Sequence, residues 1–198
     1  QEHLNKINVF PVPDGDTGTN LALTVNAVLG SLRKWPDRHA GKTLTRVADA
    51  ALDGARGNSG AILAQFFLGL CDRVGHLNQI DPADFAAGVD GGAEYARESL
   101  SEPREGTILT VAREAAAAAE RAAARSPDSA EFMRQMHLEG EAALARTPEL
   151  MAVLKEAGVV DAGGMGFMRM IEGVVRFIDG DPILAAEPGY TGEFAIPA

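Results

Sequence analysis

Apolar residues recur every three or four positions along most of the chain. The stretch from Thr19 to Trp35 has this spacing, which is typical of a helix with one buried face. Similar stretches, separated by glycine, proline or capping residues, predict further helices over residues 43–55, 59–74, 82–99, 108–125, 128–145, 147–158 and 162–178. No segment alternates apolar and polar residues over four or more positions, as a strand would. The pattern predicts seven or eight helices in a single all-α domain covering residues 1–198.

Capping residues set several of the predicted boundaries. Asp81 precedes Pro82, and proline is favoured at the first position of a helix. Thr43 and Thr147 are predicted as N-caps, and Gly158 as the end of the helix that Thr147 begins. The alanine-rich segment after residue 107 has the composition of a low-complexity region, but alanine has the highest helix propensity, so a packed helix is favoured over disorder. Residues 1–10 resemble a helix end leading into an extended segment, and the last residues form a polar tail.

Composition narrows the class of protein. The formal net charge is −10, with 28 acidic and 18 basic residues, which argues against a nucleic-acid partner because phosphate backbones need clustered Lys and Arg. The single cysteine, Cys71, lies in an apolar run and is predicted to be a buried thiol. One cysteine cannot form a disulfide framework, so a cytoplasmic location is the simplest expectation. No apolar run reaches the ~20 residues that a membrane span requires, and no membrane insertion is expected.

Four turns place small residues directly before a predicted helix: DGDTGTN, GARGNSG, REGT and VDAGGMG. The first backbone amides of a helix have no partner within the helix and carry partial positive charge, so such turns can bind phosphate. Ser, Thr, Asp and Gly also stand at helix starts for purely structural reasons. Each turn alone therefore leaves both interpretations open, and the recurrence of the pattern favours a phosphate-binding end.

Asp14 and Asp16 are the clearest chemical signal in the sequence. Two carboxylates two residues apart in a glycine-containing loop can face one hard cation, and Mg²⁺ is usually held by one or two carboxylates, water and substrate phosphates. The alternative is an Asp cap combined with an Asx turn. Two acids this close repel each other without a cation, and the same loop supplies Thr17, Thr19 and Asn20, so binding of a metal–nucleotide complex is favoured.

Four motifs in order, NVFPVPDGDTGTN, GARGNSGAIL, REGTILTV and VVDAGGMGF, resemble the nucleotide-binding domain of bacterial fatty acid kinase. That domain is related to the L subunit of dihydroxyacetone kinases. The resemblance covers nearly the whole chain and implies an antiparallel eight-helix barrel that holds ATP or ADP and two Mg²⁺ ions at one open end. Dihydroxyacetone kinases use three aspartates for the metals, whereas this chain has Asn8 near the third position. It also has Thr17 where they have a histidine, and both differences fit the fatty acid kinase branch better.

The resemblance also implies roles for individual residues. Asp14, Asp16 and Asn8 are the expected metal ligands. The expected catalytic residues are Asp14, Asp16 and Arg56. Arg56 would be a clamp on the transferred phosphoryl group, or else a solvated surface residue. Further residues are expected to contact the nucleotide: Thr17, Thr19, Asn20, Asn58, Ser59, Gly60, Thr107, Asp161, Ala162, Gly163 and Gly164.

The resemblance implies phosphoryl transfer from ATP to the carboxylate of a fatty acid, which a separate fatty-acid-binding protein presents. Full-length proteins of that family are longer, so the chain is expected to be one domain of a multidomain protein, weak or inactive when isolated. A homodimer is left open by the sequence. The alternatives are a dihydroxyacetone kinase-type subunit, a nucleotide-sensing module without transfer activity, and a purely structural helical domain.

Overall fold

The computed structural model describes residues 1–35 and 37–181, and every regular element in these residues is a helix. The prediction of an all-α fold is therefore confirmed. The predicted polar tail lies outside the described residues. Ten helices follow one another along the chain: α1 (Glu2–Lys6), α2 (Thr17–Lys34), α3 (Ala40–Gly54), α4 (Gly57–Val74), α5 (Pro82–Glu98), α6 (Ile108–Ala123), α7 (Ser129–Ala145), α8 (Thr147–Leu150), α9 (Ala152–Ala157) and α10 (Ala162–Ile178).

Eight of these helices form a closed ring around the main core. Each of the helices α2 to α7 packs against the next one along the chain, and α10 packs against α7. The short helix α1 contacts both α10 and α2 and so completes the ring, while α8 and α9 lie in the connection between α7 and α10. Because successive long helices are joined by short turns, they alternate in direction. The ring fits the antiparallel eight-helix arrangement expected from the motifs.

Several helix starts agree with the capping signals, and others do not. Asp81 accepts a hydrogen bond from the Asp84 amide in a complete capping box ahead of Pro82. The predicted N-cap at Thr43 is wrong, because α3 begins at Ala40 and the ring nitrogen Nδ1 of His39 accepts from the Lys42 amide. Histidine is not a preferred capping residue, so no local signal indicated this start.

The single helix predicted from Thr147 to Gly158 is also wrong. Met151 is extended (φ −137°, ψ 112°) and divides this stretch into α8 and α9, and the N-cap of α8 is Arg146 rather than Thr147. The break lies against the turn that precedes α6, where Gly106 packs beside Leu150 and Met151. Gly158 does end α9 in the left-handed conformation, as predicted.

The core is apolar and unusually tight between α4 and α5. Helix α4 has no exposed residue from Ile62 to Leu70, and Phe66 stacks edge-to-face on Phe167 of α10 with ring centres 5.0 Å apart. Gly69 of α4 lies against the backbone carbonyl of Gly91, so the two helices approach closely. A second, smaller cluster joins α2, α3 and α4.

The burial of Cys71 and the character of the helices bear on two predictions from the sequence. Cys71 is half-buried rather than buried, with its sulfur 3.6 Å from the Thr45 hydroxyl oxygen. Among the described residues, none of the helices combines the length and apolar character that crossing a bilayer requires.

Candidate functional site

The four turns singled out in the sequence lie at the same end of the ring. They precede α2, α4, α6 and α10, which run in the same direction because each is separated from the next by an antiparallel element. Ile62 near the start of α4, Ile108 at the start of α6 and Phe167 in α10 pack in one apolar cluster, which places the starts of these three helices side by side. The chain therefore gathers four helix N-termini at one end.

The first turns of α2 and α4 form a directly connected pair. The Ser59 hydroxyl donates to the Thr17 hydroxyl oxygen at 3.3 Å, which joins the two helix starts. Neither helix has a side-chain cap at its N-terminus. In the described part of the chain, the backbone amides of Thr17 and Gly18 in α2, and those of Gly57 to Ser59 in α4, have no hydrogen-bond acceptor. Two uncapped helix N-termini side by side are suited to bind adjacent phosphate groups.

Gly57 permits this close approach. Its φ is +57°, a left-handed conformation that favours glycine, and a Cβ atom at this position would overlap the side-chain amide of Asn20. The Asn20 side chain is 8% exposed and is packed under the start of α4. Gly60 of α4 is buried against Thr24 of α2, so it also allows the two helices to approach closely.

Asn8 and Asp14 form a polar pair beside the start of α2. The Asn8 side-chain nitrogen Nδ2 donates to Asp14 Oδ1 at 2.8 Å, and Asn8 is 5% exposed. The other atom of that amide, Asn8 Oδ1, is buried and has no hydrogen-bond partner among the described residues. A buried oxygen without a partner is costly, and a bound cation is one group that can satisfy it.

These residues fit a hard cation such as Mg²⁺. All the available donors are oxygen atoms: the carboxylates of Asp14 and Asp16 and the amide oxygen of Asn8. Gly15 has a φ of +67° and turns the loop between the two carboxylates. No group of three or more His, Cys, Asp or Glu side chains suited to a metal occurs in residues 1–35 and 37–181. A cation here would therefore depend on substrate phosphates and water for the rest of its ligands.

The first turns of α6 and α10 differ, because a buried carboxylate already lies between them. Asp161 Oδ2 accepts from the Gly164 amide at 2.7 Å and caps α10, and the Ile108 amide at the start of α6 lies close enough to favour the ionised carboxylate. The Asp161 amide in turn donates to the Thr147 hydroxyl at 3.0 Å. Asp161 thus binds the helix termini together, and its charge disfavours a phosphate at the same place.

Thr107 is likewise engaged in its own turn. Its hydroxyl donates to the Arg104 carbonyl at 2.7 Å and accepts from the Leu109 amide at 3.3 Å, so it caps α6. Beside it, Glu105 accepts from the Thr110 hydroxyl, which is the main cause that lowers the pKa of Glu105 to about 2. Hydrogen bonds from Arg97 and Arg113 to Glu105 lower this pKa further. This turn is built around an ionised Glu105, which the sequence analysis did not single out.

The remaining predicted site residues are placed as follows. Ala162 and Gly163 form the first turn of α10 beside Asp161, and Asn58 is exposed in the first turn of α4. Thr19 faces α1: its amide donates to Asn5 Oδ1, and its hydroxyl accepts from Asn5 and Gln1. Asn5 is another residue that the sequence analysis missed, because its role depends on α1 packing against α2.

Arg56 is exposed, and its guanidinium donates to the carbonyl of Ala55 at 2.6 Å and to that of Asp53 at 3.4 Å. It therefore contacts the carbonyl end of α3. A role as a clamp on a phosphoryl group would require these hydrogen bonds to break, and that role stays a prediction.

Asp161 leads to a prediction about pH. Burial raises the pKa of its carboxyl from 3.8 to about 6, despite the amides of Gly164 and Ile108. The folded protein then binds more protons than the unfolded chain between these values, so stability from this group is greatest below pH 4 and is lost by about pH 6. Relative to Asp161→Asn, the wild type should lose about 2 kcal/mol of unfolding free energy between pH 4 and pH 7. Urea unfolding of both proteins at both pH values measures this, and an unchanged difference would contradict it.

Asn8 leads to a prediction about metal dependence. In Asn8→Asp the hydrogen bond to Asp14 is replaced by two neighbouring carboxylates, so without divalent cations the variant should be less stable than wild type by about 1–3 kcal/mol. Saturating Mg²⁺ should recover most of this loss. Thermal unfolding with EDTA and with Mg²⁺ tests it, with Asn78→Asp as the exposed control. A variant whose loss Mg²⁺ leaves untouched would argue against a cation at this place.

The fold and this end of the ring define an all-helical domain with uncapped helix starts facing a carboxylate-bearing loop. Residues 11–176 match the DAK2 domain family, and the chain belongs to that family, which is associated with kinase-related nucleotide binding.

Three relatives show how much of a longer protein the chain resembles. Protein YloV of Bacillus subtilis (strain 168) is 41% identical over 180 residues, which cover 91% of this chain and 32% of that protein. Uncharacterized protein SH1689 of Staphylococcus haemolyticus (strain JCSC1435) is 41% identical over 182 residues, 92% of this chain and 33% of that protein. A protein of Staphylococcus epidermidis (strain ATCC 12228 / FDA PCI 1200) is 39% identical over 185 residues, which cover 93% of this chain and 34% of that protein. The chain spans about a third of the length of these relatives.

Proposed function

We propose that the chain is the ATP-binding domain of a fatty acid kinase, which transfers the γ-phosphoryl group of ATP to the carboxylate of a fatty acid. The observation that carries nucleotide binding is the pair of uncapped helix starts, α2 and α4, joined through Ser59 and Thr17 beside the unpartnered oxygen of Asn8. Family membership supports the same general class. The choice of a fatty acid as acceptor rests on the four motifs and on Asn8 and Thr17.

In this proposal each part of the site has a separate task. The backbone amides at the starts of α2 and α4 donate to the β- and γ-phosphate oxygens and hold them in place. Asp14, Asp16 and Asn8 hold Mg²⁺, which neutralises phosphate charge when bound. A carboxylate oxygen of the acceptor bonds to the γ-phosphorus as the bond to the β–γ bridging oxygen breaks, giving an acyl phosphate and ADP. Positioning and charge stabilisation account for this reaction without a covalent intermediate on the protein.

The acceptor is proposed to arrive on a separate fatty-acid-binding protein that engages other parts of a longer kinase. The support is that the matched relatives are about three times as long as this chain. The isolated domain is then expected to bind nucleotide with little or no turnover.

The experiment combines the longer protein with ATP, Mg²⁺ and a fatty-acid-loaded binding protein, and traps acyl phosphate with hydroxylamine as the hydroxamate. Formation of the hydroxamate that requires all components supports the proposal. Phosphorylation of dihydroxyacetone instead would assign the alternative kinase activity. Nucleotide binding with no transfer to either acceptor would favour a nucleotide-sensing module and contradict the fatty acid kinase assignment.

A further inference from the structure

At the end of the ring opposite the candidate nucleotide site, the junction of α2 and α3 carries a concentration of positive charge. Residues 21–48 contain five of the 18 basic residues of the chain and one of its 28 acidic residues. Four of these basic side chains are exposed around the end of α2 and the start of α3, together with the exposed Trp35. We call this surface the basic cap: Arg33, Lys34, Trp35, Arg38 and Lys42.

The one acidic residue in this segment is already engaged. Asp37 pairs with Arg46 at 3.0 Å and also accepts from the His39 amide. The His39 amide first, and then the charges of Arg46 and Lys42, keep the pKa of Asp37 below its usual value. In the described residues, no acidic side chain forms an ion pair with Arg33, Lys34, Arg38 or Lys42. The four cations of the basic cap are therefore available to an external partner.

Backbone contacts fix the start of α3, which carries part of the basic cap. The amides of Ala40 and Gly41 at the start of α3 donate to the carbonyls of Asn78 and Leu77, at 3.0 and 2.9 Å. Gly41 also lies against the backbone of Gly75, so the start of α3 is packed on the turn between α4 and α5. A partner would meet a largely preformed arrangement of charges.

Trp35 gives the basic cap an apolar element among the charges. It is 59% exposed, and the Lys34 ammonium lies 5.4 Å from the centre of its ring. Leu29, six residues earlier on α2, is also exposed. An indole flanked by Lys and Arg suits the boundary between lipid headgroups and acyl chains, where the ring enters the boundary and the cations remain beside the phosphates.

The carboxylates of the candidate nucleotide site lie far from the basic cap, and those at the same end of the ring are engaged elsewhere, for example Asp81 and Asp84 in the capping box of α5. Helix α2 has 18 residues and is therefore about 27 Å long, so the carboxylates at its other end are several Debye lengths from the basic cap at physiological salt. Repulsion between those carboxylates and an anionic surface is largely screened, whereas the four cations would touch the surface.

We propose that the basic cap docks the protein reversibly on an anionic phospholipid surface, with the nucleotide end facing away from it. This inference does not depend on the proposed kinase activity. Four cations give weak association, and each contributes about a fivefold change in the partition constant. Docking of this kind leaves the fold intact and inserts no helix.

The chain contains one tryptophan, so the fluorescence of Trp35 reports directly on the basic cap. Adding phosphatidylglycerol vesicles should shift its emission to shorter wavelength and carry the protein into the vesicle pellet. Phosphatidylcholine vesicles should do neither, and raising the salt should reverse the binding. No emission shift and no co-sedimentation with anionic vesicles would overturn the proposal.

A matched pair of variants separates the basic cap from net charge. Arg33→Glu with Lys34→Glu should lower the partition constant at least about 25-fold. Arg104→Glu with Lys155→Glu, at the other end of the ring, makes the same charge change and should leave the partition constant nearly unaltered. Circular dichroism establishes that both variants fold. An equal loss in both variants would assign binding to net charge and contradict the proposal, as would equally tight binding of single-stranded DNA.

Discussion

Asp14→Asn combined with Asp16→Asn is expected to remove the Mg²⁺-dependent part of ATP binding, weakening it by at least about 100-fold. Even residues that only support metal ligands change metal affinity by about 10–100-fold when replaced, and these two are proposed to be ligands themselves. Asparagine keeps the size of the side chain and can still accept from Asn8, so the local fold should persist. Titration calorimetry with ATP in the presence of Mg²⁺ measures the loss.

The same variant gives a second result of opposite sign. Without divalent cations the two carboxylates repel the phosphates, so the variant should bind ATP as tightly as the wild type or more tightly. Asp179→Asn with Asp181→Asn is the matched control, since these two exposed carboxylates are also two residues apart but lie after the C-terminal end of α10, away from the helix starts. If the control weakens Mg²⁺–ATP binding as much as the test variant, the proposed ligands are incorrect.

Gly69→Ala combined with Gly92→Ala is expected to lower the unfolding free energy by about 2–4 kcal/mol, which is the cost of two overpacked sites less the gain in helix propensity. A Cβ atom at Gly69 would overlap the Gly91 carbonyl, and one at Gly92 would lie 2.7 Å from the Phe66 carbonyl oxygen, so α4 and α5 must separate. Each overpacked site typically costs about 1–3 kcal/mol. That sum is a large share of the stability of a domain, which is about 5–15 kcal/mol.

The control for this prediction is Gly30→Ala combined with Gly173→Ala. Both glycines lie inside helices, and a Cβ atom there would meet nothing within 4 Å. Alanine has the higher helix propensity, so this pair should raise stability by about 1–2 kcal/mol. Chemical denaturation compares the two double variants. Similar changes in both would mean that helix propensity, and not the close approach of α4 and α5, determines the result.

Local signals in the sequence were sufficient for most of the fold. Asp81 with Pro82 and Asp161 with its glycines begin helices where predicted, because a cap needs only residues that are adjacent in the chain. The break at Met151 could not be predicted in this way. Its apolar spacing continues that of a helix, and the break is associated with packing against Gly106, about 45 residues away.

The sequence predicted which four turns form the candidate site, but not which of them have free backbone amides. All four glycine-rich turns look alike in sequence, yet the starts of α6 and α10 share the carboxylate of Asp161, and those of α2 and α4 have no side-chain cap. That difference depends on which helix ends meet in the folded protein. The role of Asn8 is similar: the sequence suggested it only through the motif, and its buried unpartnered oxygen is a property of the fold.

The central claim, that nucleotide phosphates bind between α2 and α4, is tested most directly by NMR of the ¹⁵N-labelled chain titrated with ATP and Mg²⁺. The largest amide shifts are predicted at Thr17, Gly18, Asn58 and Ser59, with smaller shifts at the capped amides of Leu109 and Gly164. Largest shifts at Leu109 and Gly164, with none at the starts of α2 and α4, would contradict the account.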